Sequence, residues 1–458
     1  MRPAMDQKSS RNAKKPAKTG GKPARRDVQP APGLGPRRAA LDVLTLVAGG
    51  RTLVQALEDC RSFNALAGPD RGLAHALAAA ALRRRGSLDQ VIGLHVERPF
   101  PKRSARVMDI LRLAAAQSLL LRTPDHAAVA TAVALAQAFQ ETAGYAGLVN
   151  AVARKIAAAG PASIETLPER TDTPGWMWRG WERNFGPETA RAIARAHRRE
   201  APLDLTARDP GDAAAVAAAI GGSVLPTGSI RAMEGFKVSA AAGFAEGRWW
   251  VQDAAAALPA RLLGEVRGKL VFDLCAAPGG KTMQLAAAGA EVLAVDSDGS
   301  RLKIVAENLA RTRLAAETIK ADVLHWTPER RADAILLDAP CTATGTIRRH
   351  PDILWSKTED DLKSLAALQA KMIDKALGLL KPGGVLVYCT CSLQPEEGEQ
   401  QAAAALARHS DLKRGPITRT EIGGLSALTR DGDLRTIPSM LAAEGGLDGF
   451  FAARFTRG

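Results

Sequence analysis

Long apolar runs are absent from this 458-residue chain. None approaches the roughly 18 consecutive residues that a membrane-spanning helix needs, and the polar, lysine-rich start lacks the apolar core of a secretory signal. The expectation is a cytoplasmic protein with no membrane partner. Cysteine is scarce: five residues, an odd number, four of them between Cys275 and Cys391. That clustering favours reactive thiols over a disulfide framework. Acidic residues are too few to balance the basic ones, 48 against 62, which leaves a net charge of +14 and favours a polyanionic partner, nucleic acid first. Glycine (42) and proline (26) stand at ordinary levels, which excludes collagen-like and wholly disordered chains. The length predicts roughly two to four domains with sizeable cores.

Half of the excess charge lies in residues 1–36, where nine Lys/Arg face Asp6 and Asp27 and large apolar side chains are nearly missing. Such a segment cannot offset its ordering entropy and is expected to be a disordered basic tail. Residues 37–160 read as an all-α domain. Apolar residues recur at spacings of three and four (Leu41, Leu44, Val47; Leu111, Ala115, Leu119), and Pro69, Gly86, Pro99, Pro124 and Gly144 divide the stretch into six or seven helices. Asp125 is the expected cap of the helix after Pro124. Arg83, Arg84 and Arg85 sit at a helix end, where they either meet orphan carbonyls or face RNA. Residues 161–245 read as a linker and a small α+β subdomain, with a strand over 203–208, a helix over 212–220 and a further strand near 237–239. Its tryptophans, Trp176, Trp178 and Trp181, read as packing anchors more than as stacking platforms.

From 246 to 458 strands alternate with helices, which specifies a mostly parallel sheet whose ligands lie at the carboxyl ends of the strands. The first such end is Cys275-Ala276-Ala277-Pro278-Gly279-Gly280-Lys281. Its paired glycines let backbone approach a ligand at a helix N-terminus, yet it matches neither GxGxxG nor GxxxxGK[ST]. Asp296 ends the next strand, seventeen residues after Gly279, near the spacing at which such folds place an acid on ribose hydroxyls. Asp322 and Asp338 end two more. An acidic rim of this kind repels phosphates and suits an adenosine with a carboxylate tail, as in S-adenosyl-L-methionine. Cys341 follows Asp338 by three residues on a proline turn, and Cys391 lies at the end of the strand that carries Cys389, which reads as a small core residue. Two thiols and a carboxyl suit methylation at carbon 5 of a pyrimidine: a thiolate adding at carbon 6 makes carbon 5 able to attack a methyl donor.

The segments Asp70-Arg71-Gly72-Leu73-Ala74, Asp125-His126-Ala127-Ala128-Val129 and Val149-Asn150-Ala151-Val152-Ala153-Arg154 resemble the NusB-like RNA-binding domain. The Cys275–Lys281 segment, Asp338-Ala339-Pro340-Cys341 and Thr390-Cys391-Ser392 together resemble the Sun/Fmu branch of RNA cytosine-5 methyltransferases. The resemblance covers nearly the whole chain after residue 36, and the stretch Ile347–Trp355 resembles the members acting on bacterial small-subunit ribosomal RNA. It implies a Rossmann-like methyltransferase domain preceded by the accessory subdomain. It also implies S-adenosyl-L-methionine bound by Cys275–Lys281, Asp296, Asp322 and Asp338, Cys391 as the nucleophile, Cys341 assisting product release and Asp338 contacting the base. Arg348, Arg349 and His350 are expected to hold RNA phosphates. The family usually has Ala at the position of Cys389 and commonly Lys at that of Leu354. No metal is expected, and the partner is ribosomal RNA bound by a monomer. Two other readings are open: a non-catalytic RNA-binding or assembly factor, and an amino-group methyltransferase, whose usual Asp/Asn-Pro-Pro-aromatic turn is missing here. If residues 1–36 bind phosphates, deleting them should flatten the salt dependence of RNA affinity by roughly 0.7 to 0.9 log unit per lost contact; an unchanged slope would remove the arm from binding.

Overall fold

A computed structural model describes residues 33–98, 100–101 and 104–458. Most of the expected tail lies outside the described residues, and its last residues are already helical: the first helix runs Leu34–Ala48. Seven helices of seven residues or more form the N-terminal domain among the described residues, from Leu34–Ala48 to Ala146–Ala159. Alanines spaced along their facing sides (Ala40, Ala74, Ala78, Ala115, Ala136) are fully buried, so backbones approach closely around Leu41, Leu77, Leu88 and Leu111. Asp125 is not the cap. Pro124 holds that position, and Asp125 is the first helical residue, where its charge favours the helix dipole.

The three arginines 83–85 are internal ties. Arg83 is buried and donates to the carbonyl of Arg348 at 3.0 Å. Arg84 donates to Asp172 at 2.9 Å, and Arg85 lies over the Trp355 ring at 5.1 Å. Gly86 permits the approach, since a Cβ there would sit 2.0 Å from the carbonyl oxygen of Thr171. Helices Gly175–Phe185 and Pro187–His197 follow. Met177 and Trp181 on the first pack with Ile347, Leu354 and Leu393 of the C-terminal domain, with Trp176 and Trp178 at the margin. The tryptophans therefore anchor a seam, and Leu354 is part of it.

The accessory subdomain is an antiparallel sheet in the order β2-β3-β1-β4: β1 (Asp204–Ala207), β2 (Ser223–Val224), β3 (Ile230–Arg231) and β4 (Trp249–Val251). The expected strand near 237–239 is a 3-10 turn, Val238–Ala240, whose Val238 packs with Phe236 against the subdomain core instead of joining the sheet. The sheet also reaches Val251, past the expected boundary at 245.

In the C-terminal domain β5 (Leu270–Leu274), β6 (Glu291–Asp296), β7 (Glu317–Lys320), β8 (Ala332–Asp338) and β9 (Leu380–Thr390) are parallel, in the order β7-β6-β5-β8-β9. β10 (Leu412–Arg414), β11 (Leu434–Thr436) and β12 (Phe450–Arg457) complete the sheet, with β12 antiparallel beside β9. β5 is buried along its whole length, the Asp273 carboxyl included.

The carboxylate of Asp172 accepts from Arg84, from the N–H and hydroxyl of Ser87 (both 2.7 Å) and lies 3.3 Å from Arg198. Replacing it by alanine strands buried donors on two segments. Asp172→Ala should lower unfolding free energy by roughly 3 kcal/mol, read as an earlier urea midpoint; an unmoved midpoint would contradict this role.

Candidate active site

The turn after β5 is lashed to β6. The N–H groups of Cys275 and Ala276 both donate to the carbonyl of Val295, at 2.8 and 3.0 Å, and Cys275 adopts a φ of 65°. Gly279, with φ 101°, leads into helix Gly280–Ala287. Asp296, buried at the end of β6, accepts from the N–H of Ala277 at 3.1 Å and of Asp298 at 3.0 Å. Arg301 donates to the carbonyl of Ala277 at 2.5 Å and lies 3.7 Å from Asp296. Asp322 stands just beyond β7. Its carboxyl is held below the usual range by hydrogen bonds from His325 and the N–H of Leu324. Asp338 ends β8 and accepts from Nζ of Lys281 at 2.7 Å, a cation that also faces the Phe450 ring at 4.9 Å.

These strand ends enclose a cavity of about 310 Å³ lined by Cys275, Ala277, Asp296, Arg301, Asp322, Asp338, Cys341 and Cys391, with Leu324, Leu368 and Met372 as its apolar wall. Ala276, Pro278, Gly279, Gly280 and Lys281 do not line it; they shape the turn, and Lys281 braces Asp338. Sequence reasoning missed Arg301, Leu324, Leu368 and Met372. The readable signal was the spacing of four between Leu368 and Met372 on the long helix Glu359–Leu379. Three carboxylates around one cavity suit a cationic, hydroxyl-bearing ligand and oppose a phosphate-rich one.

The two thiols expected to act together do meet. Cys341 leaves β8, Cys391 leaves β9, and their Sγ atoms are 3.4 Å apart at the cavity. The Cys341 thiol is pushed well above its ordinary value, first by its bond to Cys391 and then by burial, so it keeps its proton. Cys275, the third thiol of the cavity, is raised by burial and by the charges of Asp338 and Asp296, which suppresses its thiolate. Cys389 is fully buried, as expected of a core residue, and its sulfur lies 3.6 Å from Asp338.

The expected phosphate contacts are not free cations. Arg348 is buried, donating to Asp448 at 3.1 Å and to the carbonyl of Gly445 at 2.6 Å. Arg349 bridges Asp253 at 2.6 Å and Asp448 at 2.9 Å. Burial keeps His350 below its ordinary range and hence neutral near pH 7. A charge run reads as surface in sequence because its partners, about a hundred residues away, are invisible there.

Beneath the Cys275 turn, Asp273 is fully buried with Oδ2 accepting from the Thr282 hydroxyl at 2.6 Å, and burial pushes its pKa up to about 7. The unfolded carboxyl ionises near 4 and the folded one near 7, so this group's contribution to stability is full below the lower value and falls as pH rises through the higher. Asp273→Asn should remove that part of the decline between about pH 4 and 7 in a series of Tm measurements. A variant profile parallel to the parent's would refute the assignment.

Residues 260–456 match the family model described as 16S rRNA methyltransferase RsmB/F, and residues 35–158 match the NusB family. The chain is 37% identical over 360 residues to ribosomal RNA small subunit methyltransferase B of Klebsiella pneumoniae subsp. pneumoniae, covering 75% of this chain and 83% of that protein. It is 35% identical over 442 residues to the enzyme of that name from Pseudomonas putida, covering 93% and 99%. The crystal structure of PH0851 superposes with a TM-score of 0.73 at 22% identity, over 93% of this chain and 98% of that one, a likeness of fold. On identities above one in three across nearly the full length of such relatives, the chain belongs to the 16S rRNA methyltransferase RsmB/F family and carries a NusB-family domain near its N-terminal end.

Proposed function

We propose that this protein methylates carbon 5 of a cytosine in small-subunit ribosomal RNA, with S-adenosyl-L-methionine as donor and Cys391 as nucleophile. One observation carries the reading: two sulfurs 3.4 Å apart open onto the cavity that Asp296, Asp322 and Asp338 line. When bound, S-adenosyl-L-methionine supplies an electrophilic methyl group; Asp296 and Asp322 would hold its adenosine end, and the carboxylates favour its positive sulfur.

The thiolate of Cys391 adds to carbon 6 of the cytosine and makes carbon 5 nucleophilic. Cys341, which keeps its proton, can donate to the Cys391 sulfur across their 3.4 Å separation. When the adduct breaks down, the Cys341 sulfur takes the carbon 5 proton as its own proton passes to the departing Cys391 sulfur, and the electron pair of the broken carbon–hydrogen bond re-forms the ring double bond. Asp338, braced by Lys281 on one oxygen, offers the base a carboxyl at the same cavity. Leu368 and Met372 give the wall that excludes water around the reacting carbon.

The target is read as an unstacked base, since carbon 6 is out of reach inside a duplex. The helical domain, residues 37–160, supplies RNA affinity, and the catalytic domain follows the accessory sheet. Among the described residues no helix is long and apolar enough to cross a membrane. The reading includes a monomer acting in the cytoplasm.

RNA carrying 5-fluorocytosine should trap a covalent complex with the parent protein and none with Cys391→Ala, which should also lose methyl transfer. Cys341→Ala should accumulate the adduct with ordinary RNA, seen as a slow band on denaturing gels. Undiminished methylation by Cys391→Ala would overturn the nucleophile, and normal turnover by Cys341→Ala the release role.

A further inference from the structure

Besides the reacting groups, one buried carboxylate touches both thiol loops. Glu397 closes the short turn Pro395–Glu397, six residues beyond Cys391, and is fully buried. One oxygen accepts from the backbone N–H of Thr342 at 2.9 Å and from Nε2 of Gln369 at 3.1 Å; the other accepts from the Thr342 hydroxyl at 2.5 Å. Thr342 is the neighbour of Cys341. Ser392 is the neighbour of Cys391, and its hydroxyl lies 3.3 Å from that of Thr342 and 3.2 Å from that of Thr344. The N–H of Gly345 donates to the carbonyl of Cys391 at 2.9 Å. The backbone carbonyl of Glu397 accepts from the Tyr388 hydroxyl at 2.7 Å and the Thr390 hydroxyl at 3.1 Å, at the end of β9. All of these side chains are at 0% exposure, so bulk water cannot replace a lost partner.

We propose that Glu397 is a positioning residue for the methyl transfer inferred above, on which this inference rests: by fastening the residue after one cysteine to the turn after the other, it holds the two sulfurs at their working separation. Burial pushes the Glu397 carboxyl up, and the hydrogen bonds from Ser392, Thr342 and Gln369 oppose that rise and favour its carboxylate form. The groups facing the Cys341 thiol are Cys391 from the opposite loop, Glu397 from the turn and Tyr388 from β9. The charge of Glu397 adds to the forces that keep the proton on Cys341, after the Cys391 bond and burial. Glu397 therefore acts on Cys341 twice, through a tether and through a charge.

Two variants of the full chain separate these effects. Glu397→Gln keeps an acceptor for the Thr342 N–H and removes the charge; Glu397→Ala removes both. Glu397→Ala should lower kcat roughly 100-fold while KM for RNA and for S-adenosyl-L-methionine stays within about threefold. Glu397→Gln should lose about tenfold in kcat. In that variant the alkylation of Cys341 by iodoacetamide, followed by mass spectrometry against pH, should move to lower pH. Turnover at the parental rate by either variant, a loss that falls on KM, or superimposable alkylation profiles would overturn the role of Glu397. Trapping with 5-fluorocytosine RNA distinguishes the two levels: a parent protein that traps no adduct defeats the proposed reaction, whereas a parent that traps it and variants that turn over like it defeat Glu397 alone.

Discussion

Parallel pairing of β8 with β9 is the constraint from which the site follows. With Asp338 opposite Cys389, the two strands end level with each other, and the turns that leave them carry Cys341 and Cys391 to within 3.4 Å. Parallel strands deliver their carboxyl ends to one edge of the sheet, which is why residues fifty apart in sequence face one cavity. The antiparallel β12 closes the other side of β9. A Cβ at Gly345 would stand 1.9 Å from the carbonyl oxygen of Gly449, so the Cys341 loop can rest against the lead-in to β12 only because that residue has no side chain.

The same edge sets a gradient of carboxyl character. Asp322, at the outer lip, is held ionised by the donors around it, while Asp273, one layer beneath, is pushed up to about 7 by burial. Between them Cys275 is kept from ionising by the charges it faces. Of the cavity's three thiols, Cys341 and Cys391 stand 3.4 Å apart.

The N-terminal helical domain meets the catalytic domain through Arg83, Arg85 and the Trp355 ring. Arg83 reaches the carbonyl of Arg348, the indole of Trp355 donates to the carbonyl of Leu82 at 2.7 Å, and Arg348 and Arg349 grip Asp448 and Asp253. The Arg83 and Trp355 contacts cross between the domains, while the Arg348 and Arg349 ion pairs lie within the catalytic domain and hold the stretch that those contacts meet. The stretch Ile347–Trp355 is thus a structural hub next to the site.

The alternation of strand and helix, the glycine-paired turn after β5, the acids at successive strand ends and the two thiols were readable from residue order, because each depends on local periodicity or on a motif of adjacent residues. So was the helical nature of the first domain. What residue order could not decide was pairing across long separations. It assigned a strand near 237–239, where Phe236 and Val238 instead pack on the subdomain core, and it set free cations at Arg348 and Arg349, whose carboxylates lie 96 to 100 residues away. Chain order determined which groups could do chemistry. Only the tertiary fold decided which of them meet, because a distance between two side chains is fixed by the packing of the strands and helices that carry them and not by the count of residues between them.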